Sequence, residues 1–373
     1  MDQNNLLSLP VEQKIGQLFF IGIPDTQIDA TTRRLLEEIS PGGVCLFARN
    51  IQELEQTRQL TDDIREKLPI EPFLSIDQEG GLVDRLRRIL TPMPAASSLK
   101  TVEDAKNLAQ ITANTLRILG FNMNFAPVVD IIDEKRRNYS NGLYSRAFGQ
   151  TAEESFDLTE GYLLKLQETG CLGCLKHFPG LGASVIDSHE TLPSVFVSES
   201  EFYDTDLFPY REFIKTGDVH AVMVAHAAYP QTDLQESDQN GKLLPSSLSF
   251  NFVTKLLRDK LGFKGLVLTD DLEMGAILKN YGVGDACKLA IAAGEDMLTI
   301  CANPESIREG YASIRQAVSD GEISEERINE SLKRIFASKK LLTEPLPFDS
   351  SRLQSLSAEI AELDKTVKNN HGG

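Results

Sequence analysis

Short apolar runs alternate with longer amphipathic ones along most of the chain. The apolar runs at 17–22, 43–47, 73–77, 122–126, 171–177, 221–225, 266–270 and 297–300 read as strands, eight in all. Segments 31–39, 51–68, 102–119, 152–168, 250–261 and 305–319 repeat their apolar residues near every 3.6 positions, which predicts helices. Strands that alternate with helices form a parallel sheet with crossover helices, an α/β fold. Eight such units over about 340 residues favour a single (β/α)8 TIM-type barrel, regular or irregular, over an open doubly wound sheet. No glycine-rich dinucleotide fingerprint supports the open sheet. Two connections, 178–208 and 229–249, are long and polar, as functional loops often are. After Leu342 the run Thr343-Glu344-Pro345-Leu346-Pro347 breaks the pattern. The expected organisation is a barrel over 1–345 and a tail over 346–373, with a short helix near 353–363 and a frayed end from Lys368.

Composition narrows the function class. The 373 residues are 41% hydrophobic and 25% charged, ordinary for a soluble globular protein. A net charge of -17 argues against nucleic-acid binding, which needs clustered cations. No apolar run approaches the roughly 20 residues of a membrane span. The first residues, Met1-Asp2-Gln3-Asn4-Asn5, carry no cationic segment and no signal-peptide core, so the expectation is a cytoplasmic protein with no membrane partner. The five cysteines are scattered, and Cys171–Cys174 is a lone CxxC pair, which reads as small residues in a strand rather than a zinc site. There is no Trp to stack on a sugar. Tyr144, Phe148 and Tyr229 are the aromatic faces expected in its place.

The densest chemistry is Lys176-His177-Phe178-Pro179-Gly180-Leu181-Gly182, running on to Asp187-Ser188-His189. It follows an apolar strand, where barrel enzymes carry their reacting groups. KHFPG followed by D-x-H resembles the signature of glycoside hydrolase family 3, in its bacterial NagZ-like β-N-acetylhexosaminidase branch. Four more segments resemble that family in the same order. They are Asp77-Gln78-Glu79-Gly80-Gly81, Asn124-Phe125-Ala126-Pro127-Val128-Val129-Asp130, Arg146-Ala147-Phe148-Gly149 and Thr269-Asp270-Asp271-Leu272-Glu273-Met274. The matches span about residues 15 to 340.

The resemblance implies a retaining exo-β-N-acetylglucosaminidase without cofactor or metal, acting on GlcNAc-terminated glycans or muropeptides in peptidoglycan recycling. A retaining glycosidase needs a nucleophile on one face of the anomeric carbon and a proton donor on the other. Asp270 and Asp271 end an apolar strand, and side-chain alternation turns one of them toward the barrel axis. Spacing does not say which, and capping of the next helix is the plain alternative. The resemblance assigns the attack to Asp270. Asp187 and His189, an i, i+2 pair in an extended loop, can share a hydrogen bond that orients the imidazole. The resemblance makes this dyad the acid and base. It also sets Asp77, Arg85, Arg146, Lys176 and His177 around the sugar. Asp130 reads as a structural ion-pair partner, His226 as a residue lining the site, and Met274 as pocket wall. Two positions depart from the family pattern: Leu82 stands where arginine is usual, and Leu181 where histidine is usual. They motivate two further readings, a changed aglycone and a non-catalytic sugar-binding barrel. A phosphorylase that passes the sugar to phosphate is also compatible with these residues.

Overall fold

A computed structural model of the chain describes residues 8–139, 142–185, 187–188 and 191–369. The strands in chain order are β1 (Phe19–Gly22), β2 (Gly43–Leu46), β3 (Phe73–Ile76), β4 (Gln78–Gly80), β5 (Val83–Asp84), β6 (Met123–Asn124), β7 (Leu172–Gly173), β8 (Leu175–Phe178), β9 (Ala221–Val224), β10 (Leu266–Asp271) and β11 (Met297–Ile300). β4 and β5 form an antiparallel hairpin. The other nine make one sheet in the order β7-β6-β3-β2-β1-β11-β10-β9-β8, every neighbouring pair parallel. Both end strands come from one stretch of chain, broken only at Cys174. The sheet therefore rolls into a nearly closed α/β barrel. All eight apolar runs became strands, and the fifth became two.

These strands are continuously apolar because both their faces are covered, which is usual for parallel sheets. All four residues of β1 are buried. Within the barrel, the Phe20 ring lies 6.2 Å from Phe73 in a stacked arrangement and 5.1 Å from Phe125 edge-on. Gly43 is required beside it, since a Cβ there would stand 2.7 Å from the Phe20 ring. The outer helices begin on side-chain caps. Asp29, Thr101, Thr151 and Ser324 each accept a backbone N–H in the first turn of the helix that follows. The segment expected as a helix over 250–261 is a wider π-helix at Asn251–Lys260. The helices Phe208–Thr216, Val283–Ala293 and Glu325–Lys339 add to those expected.

The C-terminal helix is longer than the short one expected, and residues 370–373 of the expected frayed end lie outside the described residues. A 20-residue helix spans Ser350–Asn369. Its Leu353, Leu356, Ile360, Leu363 and Val367 join the main hydrophobic core. That stripe recurs every three or four residues, so one helix face is buried. Ser357 Oγ also accepts the Thr91 N–H at 2.8 Å. Among the described residues, no helix is long and apolar enough to cross a membrane.

Candidate active site

Parallel strands open all their C-terminal ends on one face of the barrel, and the candidate residues gather there. Asp77 follows β3, Glu79 lies in β4, and Lys176 and His177 lie in β8. Asp270 and Asp271 end β10. Together with Arg85, Arg146 and Asp187 they line a cavity of about 320 Å³. This volume is at the small end for ligand pockets and suits a single sugar ring.

Charge alternates along the cavity wall. The Lys176 ammonium is 2.7 Å from Asp77 Oδ1 and 2.6 Å from Glu79 Oε1. Arg146 grips the other side of Glu79 with two bonds, Nε to Oε2 at 2.8 Å and Nη2 to Oε1 at 3.0 Å. Arg85 reaches Asp77 Oδ2 at 3.4 Å. Burial alone would raise the Glu79 carboxyl, but Arg146 and Lys176 outweigh it and hold Glu79 well below the usual range. Burial likewise opposes the charge on Lys176, and Asp77 and Glu79 hold its pKa above the ordinary value. Glu79 and Lys176 are thus ionised at neutral pH, with oxygens and N–H donors fixed in place along the wall.

His177 is aimed by Asp130. Its Nδ1 lies 2.7 Å from Asp130 Oδ2, and its Nε2 lies 3.4 Å from Arg146 Nη2, a donor. This pairing puts the proton on Nδ1 and a lone pair on Nε2. Asp130 is buried and holds His177 by a hydrogen bond, where the sequence suggested a structural ion pair. Its Oδ1 also accepts the Leu181 N–H at 2.6 Å, tying the next loop to the barrel. Tyr229 adds a second tie, donating its hydroxyl to the Gly180 carbonyl at 2.9 Å. Gly182 packs so closely that a Cβ would collide with the Ile131 carbonyl. Arg136, bidentate on buried Asp206, lies against the same glycine.

The two adjacent aspartates differ. Asp271 N–H donates to Asp270 Oδ1 at 2.8 Å. Burial raises the Asp270 carboxyl, yet His177, His226, that N–H and Lys176 together bring it below the ordinary value. Burial pushes Asp271 up to about 7. Asp271 Oδ1 accepts the Glu273 N–H at 3.0 Å, so it steadies the turn after the strand. Strand alternation predicted that one of the pair would face the barrel axis, but both line the cavity. The register against β11 shifts between Leu268 and Asp271, which breaks the alternation.

Other expectations need correction. His226 does not line the cavity. It is fully buried beneath Asp271, with Nε2 3.0 Å from the Asp271 carbonyl and Nδ1 2.7 Å from Ser247 Oγ. None of the three aromatic candidates lines the cavity. Phe148 packs on Tyr162, Tyr229 turns inward to Gly180, and Tyr144 stands beside Arg137 outside. Phe47 and Phe125 supply the aromatic wall. Met274 is on that wall too, and Leu181 is buried there while Leu82 is exposed. His189 lies outside the described residues. Glu79 received no role from the sequence, although it stood inside a quoted motif. All five cysteines are buried thiols.

Residues 10–337 match the glycosyl hydrolase family 3 N-terminal domain. A β-hexosaminidase of Psychromonas ingrahamii is 34% identical over 296 residues, covering 77% of this chain and 82% of its own. One from Pseudomonas aeruginosa is 33% identical over 303 residues, covering 79% and 86%. Among solved structures, a family 3 β-N-acetylglucosaminidase from Paenibacillus sp. aligns with a TM-score of 0.86 at 34% identity. That alignment covers 96% of this chain and 69% of the other. A family 3 member from Mycobacterium smegmatis aligns with a TM-score of 0.79 at 31% identity, covering 89% and 98%.

Proposed function

The chain belongs to glycoside hydrolase family 3, and from that membership we propose that it is a retaining exo-β-N-acetylglucosaminidase. The observation that carries the reading is the ionised Asp270 carboxylate, set in one sugar-sized cavity with the Asp77–Lys176–Glu79–Arg146 cluster. The relatives named β-hexosaminidase support the choice of sugar.

In this mechanism Asp270 attacks the anomeric carbon as the glycosidic C–O bond breaks. The departing oxygen takes a proton from His189, whose imidazole Asp187 orients. A glycosyl ester of Asp270 results. Water then gives its proton to His189 and attacks the same carbon, the ester C–O bond breaks, and Asp270 is freed with net retention. Asp77, Lys176, His177, Arg146 and Arg85 hold the sugar hydroxyls. Asp130 positions His177 and does not touch substrate. The substrates we propose are terminal β-linked GlcNAc residues, including those of muropeptides recycled in the cytoplasm.

The test is release of p-nitrophenol from the β-GlcNAc and β-glucose glycosides in phosphate-free buffer, with Asp270→Ala beside the wild type. Turnover of the GlcNAc glycoside by wild type only supports the reading. Equal activity in Asp270→Ala removes Asp270 as nucleophile. A sugar 1-phosphate product after phosphate is added replaces hydrolysis with phosphorolysis. Binding of GlcNAc without turnover of either glycoside leaves a sugar-binding barrel.

A further inference from the structure

The loop that follows β8 reaches the cavity wall at Leu181, Ser184, Asp187 and Ser188. Its far end is tied to the short helix Gly275–Leu278 after β10, where the Ala276 N–H donates to the Ser188 carbonyl at 3.1 Å. Its near end rests on a buried ion pair. Arg136, 2% exposed, lies in the turn Arg136–Asn138, and Asp206, 1% exposed, closes the turn Phe202–Asp206 ahead of the helix Phe208–Thr216. The guanidinium is bidentate on the carboxylate, Nη1 to Oδ1 at 2.6 Å and Nη2 to Oδ2 at 3.0 Å. It also donates to Glu201 Oε1 at 2.8 Å and to the Ile131 carbonyl at 3.2 Å. Both partners touch the loop. A Cβ on Gly180 would stand 2.8 Å from Asp206 Cβ, and one on Gly182 would stand 3.2 Å from Arg136 Nη1. Neither Arg136 nor Asp206 lines the cavity.

A buried ion pair is a poor source of stability, since removing two charges from water costs about as much as their attraction returns. What it supplies is direction: a planar guanidinium holds a carboxylate along two parallel bonds. Here the pair joins three stretches of chain, 131–136, 180–182 and 201–206, at one point. Asp187 stands five residues beyond Gly182. A shift in the seat of the loop is therefore passed over a short length of chain to the cavity wall. We propose that Arg136 and Asp206 are positioning residues for proton transfer: they set the seat of the loop, and with it the reach of the Asp187 dyad to the leaving oxygen. The proposal rests on the glycosidase reading above and adds to it two residues that touch no sugar.

The test compares kcat/KM on the methyl and 2,4-dinitrophenyl β-GlcNAc glycosides. Methoxide needs a proton to leave and 2,4-dinitrophenolate does not, and kcat/KM reports only the steps up to the glycosyl ester. The variant is Arg136→Met with Asp206→Leu, since an apolar pair of similar volume commonly preserves a fold that one unpaired charge would break. Displacement of the loop should lower kcat/KM on the methyl glycoside by about 100-fold. The dinitrophenyl glycoside should lose less than about threefold, because its departure does not draw on a general acid. Arg136→Lys keeps a cation beside Asp206 but lacks the fork. It should show the same split with a smaller loss, and it serves where the double variant does not fold. Equal losses on the two glycosides, or no loss on either, overturn the positioning role and leave the glycosidase reading standing. No hydrolysis of either glycoside by wild type overturns both.

Discussion

Replacing Asp130 with Asn tests whether His177 is aimed by a carboxylate. Both Asp130 oxygens are acceptors. Oδ2 takes His177 Nδ1–H at 2.7 Å and the His177 backbone N–H at 3.3 Å, and Oδ1 takes the Leu181 N–H at 2.6 Å. Asn has nearly the same shape but offers one acceptor and one donor. If its oxygen stays on Leu181, its NH2 confronts His177 Nδ1–H. The imidazole must then move its proton to Nε2, where the Arg146 Nη2 donor waits at 3.4 Å. If the amide turns the other way, Leu181 loses the carboxylate and the loop loosens. Either outcome sacrifices at least one hydrogen bond to a charged acceptor, worth about 1.5–3 kcal/mol. At an unfolding entropy of about 2.1 cal/mol/K per residue, a chain of 373 residues loses roughly 1.3 °C per kcal/mol, so the melting temperature should fall by about 2–4 °C. The same energy lost from sugar binding in the transition state lowers kcat/KM roughly 10- to 150-fold. Thermal melts and hydrolysis of p-nitrophenyl β-GlcNAc measure the two effects. A variant that melts within about 1 °C of wild type and keeps kcat/KM within about twofold would refute the positioning role.

Glu79→Gln leaves Lys176 and Arg146 facing each other without their shared carboxylate, and about 3–5 kcal/mol of stability should be lost at pH 7. Glu79 is held below its ordinary 4.5, so its contribution is complete above that pH and fades as acid takes the solution further down. Melts from pH 7 to 3 should therefore slope less steeply for the variant, and an unchanged acid slope would count against the pairing. Asp271, pushed up to about 7, binds its proton more tightly folded than unfolded, so it removes stability as pH rises from about 4 to 7. Asp271→Asn keeps an acceptor for the Glu273 N–H. It should melt higher than wild type at pH 8 but not at pH 4, and keep hydrolysis within about tenfold, while Asp270→Asn loses about a thousandfold or more. Equal losses from the two substitutions would dissolve the distinction between these neighbours. Burial pulls half-buried Lys339 down to about 7, against the Gln17 Oε1 that accepts from it at 2.9 Å. The unfolded chain then holds more protons between pH 7 and 10.5, so wild-type stability should rise across that range and Lys339→Met should flatten the rise. Parallel pH curves for the two proteins would show that Lys339 is charged in the fold.

The barrel was legible because its signal is periodic and local. Each strand is a buried apolar run, each crossover an amphipathic helix, and their alternation leaves few topologies. The break at Cys174 was not legible, since nothing in the apolar run 171–177 punctuates it. The same limit applies at the site. Asp77, Lys176 and Asp270 could be nominated because each ends an apolar strand, where an idle charge would be costly. Glu79 could not, because its meaning lies in Lys176 and Arg146, which are 97 and 67 residues away in the chain. A buried acid just past the end of β3, with one cation on β8 and another in the loop before the helix Ala152–Glu168, is the signal that could have found it. Tyr229 shows the converse error. As an aromatic after a strand it looked suited to a sugar face, yet its hydroxyl turns inward to hold Gly180. The adjacent aspartates show it again, since the pair reads identically in sequence. What separates them is three-dimensional. Asp270 is surrounded by His177, His226 and Lys176, while Asp271 is dominated by burial. Residue type and spacing nominate which groups can react. The field made by distant strands decides which of them is charged at neutral pH, and that decision leaves one carboxylate available for the attack we propose while its neighbour braces a turn.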